Sequence, residues 1–282
     1  MKSLFKNSWK HLLVIVLFIV AALAFFYPVL KGKTIYQSDI VQYTGMAKAQ
    51  NDFRASQGEE PYWTNSAFGG MPTYQLGANY PYNFIKEIDR QLRFLPRPAD
   101  YLFLYFIGMY ILLLCLKVNY KLAFLGALAF GFSTYLIIIL GVGHNAKAHA
   151  IAYFPIVISG VVLVFRQKLF WGNLLFCVGL AFELMTNHFQ MTYYLMLLCF
   201  VMVIVYAVNA YKNKQLKSYF KAAVSFIPAI ILAVLLNITN LLATQEYADF
   251  STRGETGLTI EPNGTEKFKS DFDTASTPEP AS

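Results

Sequence analysis

Seven predominantly apolar stretches, at residues 12–30, 101–116, 122–140, 150–165, 169–185, 191–210 and 222–243, constrain this chain more than any other feature. A helix needs about 20 mainly apolar residues to cross the hydrocarbon core of a bilayer. Runs of this length are too long for the core of a soluble domain. Charged residues make up only 14% of the chain, against about a quarter in soluble proteins. The pattern predicts an all-α integral membrane protein with seven transmembrane helices, the second and fourth of them short. Cys115, Cys177 and Cys199 all fall inside apolar runs, so no disulfide is expected. The net charge of +7 comes largely from lysines flanking the apolar runs, which reads as a topology signal and argues against nucleic acid as a partner.

The order of the runs sets the organisation. Lys2, Lys6 and Lys10 precede the first run, an arrangement shared with secretory signal peptides, and Ala22-Leu23-Ala24 resembles a cleavage site. The run continues through Phe25, Phe26, Val29 and Leu30 without a polar break, which favours a retained first span over residues 1–30. Lys117, Lys121, Arg166, Lys168, Lys212, Lys214, Lys217 and Lys221 fall in loops on one side of the membrane, whereas the short loops of the other side hold only Lys147. This bias predicts a cytoplasmic N-terminus. Residues 31–100 then form a large extracytoplasmic first loop and 101–243 carry six further spans. The final segment, 244–282, is also outside, and its end is rich in Thr, Ser, Pro, Glu and Ala and expected to be unfolded.

The first loop should have structure of its own. Asp39 followed by Gln42 resembles a capping box opening a helix to about Arg54. Phe84, Ile85, Ile88, Leu92 and Leu95 recur at helical spacing opposite Lys86, Glu87, Asp89, Arg90 and Arg93. That pattern predicts an amphipathic helix lying at the bilayer surface, ended by Pro96 and Pro98. Between them, Tyr62, Trp63, Phe68 and Tyr74 suit a folded loop, because disordered linkers are poor in aromatics.

Several residues at this end of the spans could carry chemistry. Glu183 lies within an apolar run, where an ionisable group costs ~2.5–3.5 kcal/mol at a central position and normally faces protein or water. Lys147 or one of the histidines is its expected partner. For Asp39 the spacing fits both a helix cap and a general base able to take a proton from a hydroxyl. His144, His149 and His188 with Asp39 have the donor types of a metal site, but no H-E-x-x-H spacing occurs. A divalent metal is therefore not indicated, and no cofactor is specified. Lys147 and Arg253 suit either a phosphate ligand or ordinary lipid anchoring. The D-x-D at Asp271-Phe272-Asp273 falls in the disordered-looking tail and is discounted.

Several motifs in this order carry a family resemblance. They are Gln37-Ser38-Asp39-Ile40-Val41-Gln42, Trp63-Thr64-Asn65, Phe68-Gly69-Gly70-Met71-Pro72, Gly143-His144-Asn145-Ala146-Lys147, Asn187-His188-Phe189-Gln190 with Tyr193-Tyr194, and Ser251-Thr252-Arg253-Gly254. Together they resemble the YfhO-like bacterial membrane proteins, in the form found in Bacteroidetes. The resemblance implies a GT-C-type fold in the bacterial inner membrane. It also implies a glycosyltransferase that moves a sugar from a polyprenyl-phosphate donor to a cell-envelope glycan or lipid acceptor on the extracytoplasmic face.

In that fold an acidic residue in the first external loop is the usual catalytic base, the position matched by Asp39. His144, Lys147, His188 and Gln190 match family motifs. With Asn145 and Arg253 they form the expected substrate-binding set, and Glu183 is the second expected catalytic residue, orienting Lys147 or the sugar together with His188. Relatives continue into further spans and usually a soluble domain, so this chain is expected to correspond to their N-terminal part. Two other classes compete: a transporter or flippase for a lipid-linked or anionic solute, and a non-catalytic membrane scaffold. The clustering of polar residues at one membrane face, with little at mid-depth, favours surface chemistry over a passage.

Overall fold

In the computed structural model, residues 2–249 and Ser251 are described. Arg253, the Asp271–Phe272–Asp273 triplet and most of the 244–282 tail lie outside them. The helices, in order, are α1 (Lys2–Phe25), α2 (Tyr27–Leu30), α3 (Ser38–Met46), α4 (Lys48–Gln57), α5 (Phe84–Leu92), α6 (Ala99–Cys115), α7 (Tyr120–Gly131), α8 (Thr134–Val142), α9 (Asn145–Phe165), α10 (Leu169–Met185), α11 (Phe189–Lys212), α12 (Leu216–Leu235) and α13 (Ile238–Asp249). A two-stranded antiparallel ladder, β1 (Trp63–Thr64) with β2 (Met71–Pro72), lies between α4 and α5, with Trp63 opposite Pro72 and Thr64 opposite Met71.

Among the described residues, four helices (α1, α9, α11 and α12) are long and apolar enough to cross a membrane. The pair α7 and α8 makes a fifth if counted as one span bent by 47°. The chain is thus a mostly helical, multi-pass membrane protein. The remaining two apolar runs form α6 and α10, each of 17 residues, about 25 Å long at ~1.5 Å per residue and shorter than a typical ~30 Å hydrocarbon core.

Three of the expected continuous runs are interrupted. Pro28 starts the short α2 after α1. Ser133 adopts extended backbone between α7 and α8. Beyond α12, buried Asn237 donates Nδ2 to the carbonyls of Ala181 (2.9 Å) and Ala233 (3.0 Å) before α13 begins.

Helix α9 is the axis of the bundle. Its apolar window is 72% buried, against 17% for α1 and α11, so the outer helices present their side chains to lipid while α9 is enclosed by protein. One apolar cluster joins α1, α6, α7, α8 and α9, with Phe18, Leu102, Phe106 and Leu140 fully buried. A second joins α9 to α10, α11 and α12 around Val157, Val164, Leu195 and Ala233. Apolar tails outside cancel much of the hydrophobic drive for helices to associate, so packing must be close, and small residues permit it. At Gly160 a Cβ would stand 2.5 Å from the backbone nitrogen of Phe176. Gly160→Leu should therefore force α9 and α10 apart, at a cost at or above the ~1–3 kcal/mol of ordinary overpacking. Thermal unfolding in detergent would read this as a lowered midpoint, with Gly160→Ala intermediate.

The first loop covers one end of the bundle and is internally cross-braced. Glu60 accepts from Gln50 Nε2 (3.0 Å), Arg54 Nε (2.7 Å), Arg54 Nη2 (2.7 Å) and Asn79 Nδ2 (3.2 Å). Tyr43 donates to the Leu76 carbonyl at 3.2 Å. Gln37 donates to the Leu140 carbonyl at 2.5 Å, fixing the start of α3 on α8. Gln75 bridges to Thr244 (3.1 Å) and accepts from Asn187 (3.4 Å).

Helix α5 forms as its periodicity predicts. Its Phe84, Ile88 and Leu92 turn outward, as does Phe94 just beyond, while Asp89 is fully buried. Ile85 packs against both apolar clusters, whereas Glu87 and Arg90 on the polar side stay exposed, so Asp89 is the one charged residue of α5 drawn into full burial.

Burial acts to raise the Glu60 carboxyl, but the hydrogen bonds from Arg54, Asn79 and Gln50 outweigh it and hold it at about 2. Folded Glu60 binds its proton more weakly than unfolded Glu60. Its stabilisation is therefore complete above the ordinary value of 4.5 and is lost as the pH falls toward 2. Trp63 emission, recorded with Trp9 and Trp171 replaced by Phe, should shift across this window. The shift should be absent in Glu60→Gln.

Candidate functional site

Residues expected to act together are brought to the loop-covered end of the bundle. Helix α3 begins at Ser38, and its N-cap is Gln37, which has extended backbone and no side-chain capping bond. Asp39 sits in the first helical turn instead of capping it, a position where a carboxylate still complements the helix dipole. The capping-box expectation therefore fails. A tertiary contact takes the carboxylate: Asp39 Oδ2 lies 2.5 Å from His144 Nδ1, with both side chains nearly half exposed. His144 is itself the N-cap of α9. The approach depends on Gly143, which has φ +96° and where a Cβ would stand 2.8 Å from Gln37 Cβ. An L-residue there is both strained and obstructed.

Asp39 and His144 line a cavity of about 690 Å³ together with Asn145, Lys147 and His188. Four of the six expected substrate-binding residues thus share one space with the expected base. Lys147 Nζ lies 5.4 Å from the centre of the Tyr135 ring. His188 is half-buried; burial, followed by the charges of Lys147 and His144, lowers its pKa and favours the neutral imidazole. Arg253 lies outside the described residues.

The other two expected residues stand elsewhere. Gln190 is exposed and donates to Tyr194 at 3.0 Å. Glu183 is fully buried, and its oxygens accept from Thr192 at 2.9 and 3.0 Å. The partner of Glu183 is thus a hydroxyl on α11 and neither Lys147 nor a histidine. Neither Glu183 nor Gln190 lines the cavity.

The same cavity is lined by a charged network built around Asp89 and Arg93, which stand on the polar face of the predicted amphipathic helix. Asp89 Oδ2 pairs with Arg93 at 2.7 Å, and Oδ1 meets His149 Nε2 at 2.6 Å and accepts from Tyr153 at 2.5 Å. Arg93 reaches Asp100 at 3.4 Å and Arg97 reaches it at 3.6 Å. Both guanidinium groups lie over the Tyr101 ring, at 5.5 and 5.4 Å. Burial alone would raise the Asp89 carboxyl, but the bonds from His149, Arg93 and Tyr153 hold it at about 2.

Two signals could have found this cluster: the i,i+4 spacing of Asp89 and Arg93, and Asp100 standing at the head of an apolar run. Removing one member of a buried ion pair strands the other, typically at ~3–5 kcal/mol. Asp89→Ala should therefore lower the denaturant midpoint by far more than Glu87→Ala, whose partner Arg90 is exposed.

The remaining lining groups suit a hydroxyl-rich ligand. Asn145 Oδ1 and the Tyr80 hydroxyl are buried and make no hydrogen bond within the protein. Both belong to cavity residues. Burial, with Tyr74, Tyr62 and Glu60, pushes Tyr80 up to about 12, so it remains a donor at neutral pH. Among the described residues no three His, Cys, Asp or Glu side chains are grouped as metal ligands. His144 and His149 each meet a different carboxylate. Comparison with protein-family models, with curated proteins and with solved structures returns no match.

Proposed function

We propose that this chain is a YfhO-like membrane glycosyltransferase of GT-C type. It would move a sugar from a polyprenyl phosphate to a cell-envelope glycan or lipid acceptor at the extracytoplasmic end of its bundle. The observation that carries this reading is the Asp39–His144 pair on a cavity that also presents cations and unspent hydrogen-bonding groups. A phosphate-bearing, polyhydroxylated donor asks for cations and hydrogen-bond partners, and an acceptor hydroxyl asks for a base. The lysine bias supports a cytoplasmic N-terminus, and α6 and α10 then count as short spans within a set of seven.

In this mechanism the donor phosphate rests against Lys147, Lys86 and Arg97. Arg93 is excluded because Asp89 already neutralises it. Arg97 is about half exposed and only loosely paired with Asp100, so its planar fork is free to bind phosphate at two points. Asp39, held through Oδ2 by His144, takes the acceptor proton as that oxygen attacks the anomeric carbon. The bond from the anomeric carbon to the phosphate oxygen breaks as the new glycosidic bond forms, inverting configuration, and the electron pair leaves with the polyprenyl phosphate. Asn145 and Tyr80 bind sugar hydroxyls.

Asp39→Asn should lower turnover by ~10²–10⁴-fold in a membrane assay of labelled sugar transfer from polyprenyl phosphate. Full activity in a correctly inserted Asp39→Asn variant overturns the assignment. Arg97→Gln should lower kcat/KM for the donor by about tenfold to a hundredfold, the worth of one charge-assisted contact. A second reading, a flippase for the lipid-linked donor, draws on the 47° bend between α7 and α8, since transporters often build their sites at broken helices. Label reaching the acceptor supports transfer, whereas label crossing the bilayer still attached to its lipid supports the flippase.

A further inference from the structure

A second cleft, also of about 690 Å³, lies at the opposite end of α6, α9 and α10 from the Asp39 cavity. Its lining includes Lys117, Arg166 and Lys168, no carboxylate, and apolar walls to which Ile111, Leu163 and Trp171 contribute. These cations entered the sequence reading only as topology signals. Two of the three are explained by their helices. Lys117 follows the end of α6, and Arg166 follows the end of α9 and donates to the Cys115 carbonyl, so both complement helix C-termini.

Lys168 is different. It is the N-cap residue of α10 and makes no side-chain capping bond. A helix start is already electropositive, and a lysine beside it adds to the excess. Neither Lys117 nor Lys168 forms an ion pair among the described residues. Lys117 and Lys168 are exposed and are thus available to an anion from outside the protein. The apolar flank adds a second requirement. Trp171 is 66% exposed beside Phe170 at 72%, and tryptophan at a span end marks the depth of the lipid headgroups. A free anion would leave those walls unmatched.

We propose that this cleft binds one anionic phospholipid. The headgroup phosphate sits between Lys117, Arg166 and Lys168, and an acyl chain lies along Ile111, Leu163 and Trp171. Basic pockets between membrane helices take such headgroups, and the charge and the apolar wall are each matched by one part of the same molecule. The site stands apart from the Asp39 cavity and does not depend on the transferase reading.

The test uses the full chain with Trp9→Phe and Trp63→Phe, leaving Trp171 as the reporter, in phosphatidylcholine vesicles. Brominated phosphatidylglycerol should quench Trp171 at a lower mole fraction than brominated phosphatidylcholine, by about fivefold for each lysine engaged. Lys117→Gln/Lys168→Gln should cut this preference to the part left by Arg166, whereas Lys117→Arg/Lys168→Arg should keep it, which separates charge from any change in folding. Millimolar inorganic phosphate should not restore the emission. Equal quenching by the two lipids, a preference undiminished in the double glutamine variant, or displacement by inorganic phosphate would each overturn the proposal.

Discussion

The Asp89 carboxylate ties the loop-covered end of this molecule together. Helix α5 belongs to the first loop, yet it sends one acidic side chain into full burial, where Arg93, His149 and Tyr153 surround it. Taking two charges out of water is costly unless the geometry is good and the remaining lone pairs are filled. Here both carboxylate oxygens are occupied. The network reaches α6 through Asp100 and Tyr101, and α9 through His149 and Tyr153. His149 lies about one and a half turns beyond His144 on the same helix. Fixing His149 therefore also sets how α9 presents His144 to Asp39.

The sequence reveals which segments are apolar and which helix ends are polar, because those properties are local. Asp39, His144, Asn145, Lys147 and His188 could be grouped in advance for that reason: polar residues at the same end of neighbouring spans have only one place to gather. Partner choice was not legible. Asp39 carries a local capping signature, and a contact with a residue far away in the chain displaced it. Glu183 was rightly suspect as a carboxylate in an apolar run, but its partner is Thr192, a hydroxyl close in sequence. No rule for charges would have selected it.

Helix α5 shows how far periodicity reaches. Amphipathic periodicity gives two faces and does not say which faces the protein. In water the apolar face turns in. In α5 each face divides again: Asp89 is buried and Ile85 packs on the apolar clusters, while Phe84, Ile88, Glu87 and Arg90 are exposed. The breaks in the long runs were hidden for a similar reason. Ser133 and Asn237 are too few to interrupt a hydropathy pattern, yet each redirects the backbone.

The outward apolar edge of α5 has a mechanical meaning. Phe84, Ile88 and Leu92 stand exposed while Asp89, on the same short helix, is fixed in the cavity wall. Whatever covers that exposed apolar edge meets the same helix that holds the buried ion pair. Asp89 and Arg93 both line that cavity, so its shape depends on how α5 is held from both sides.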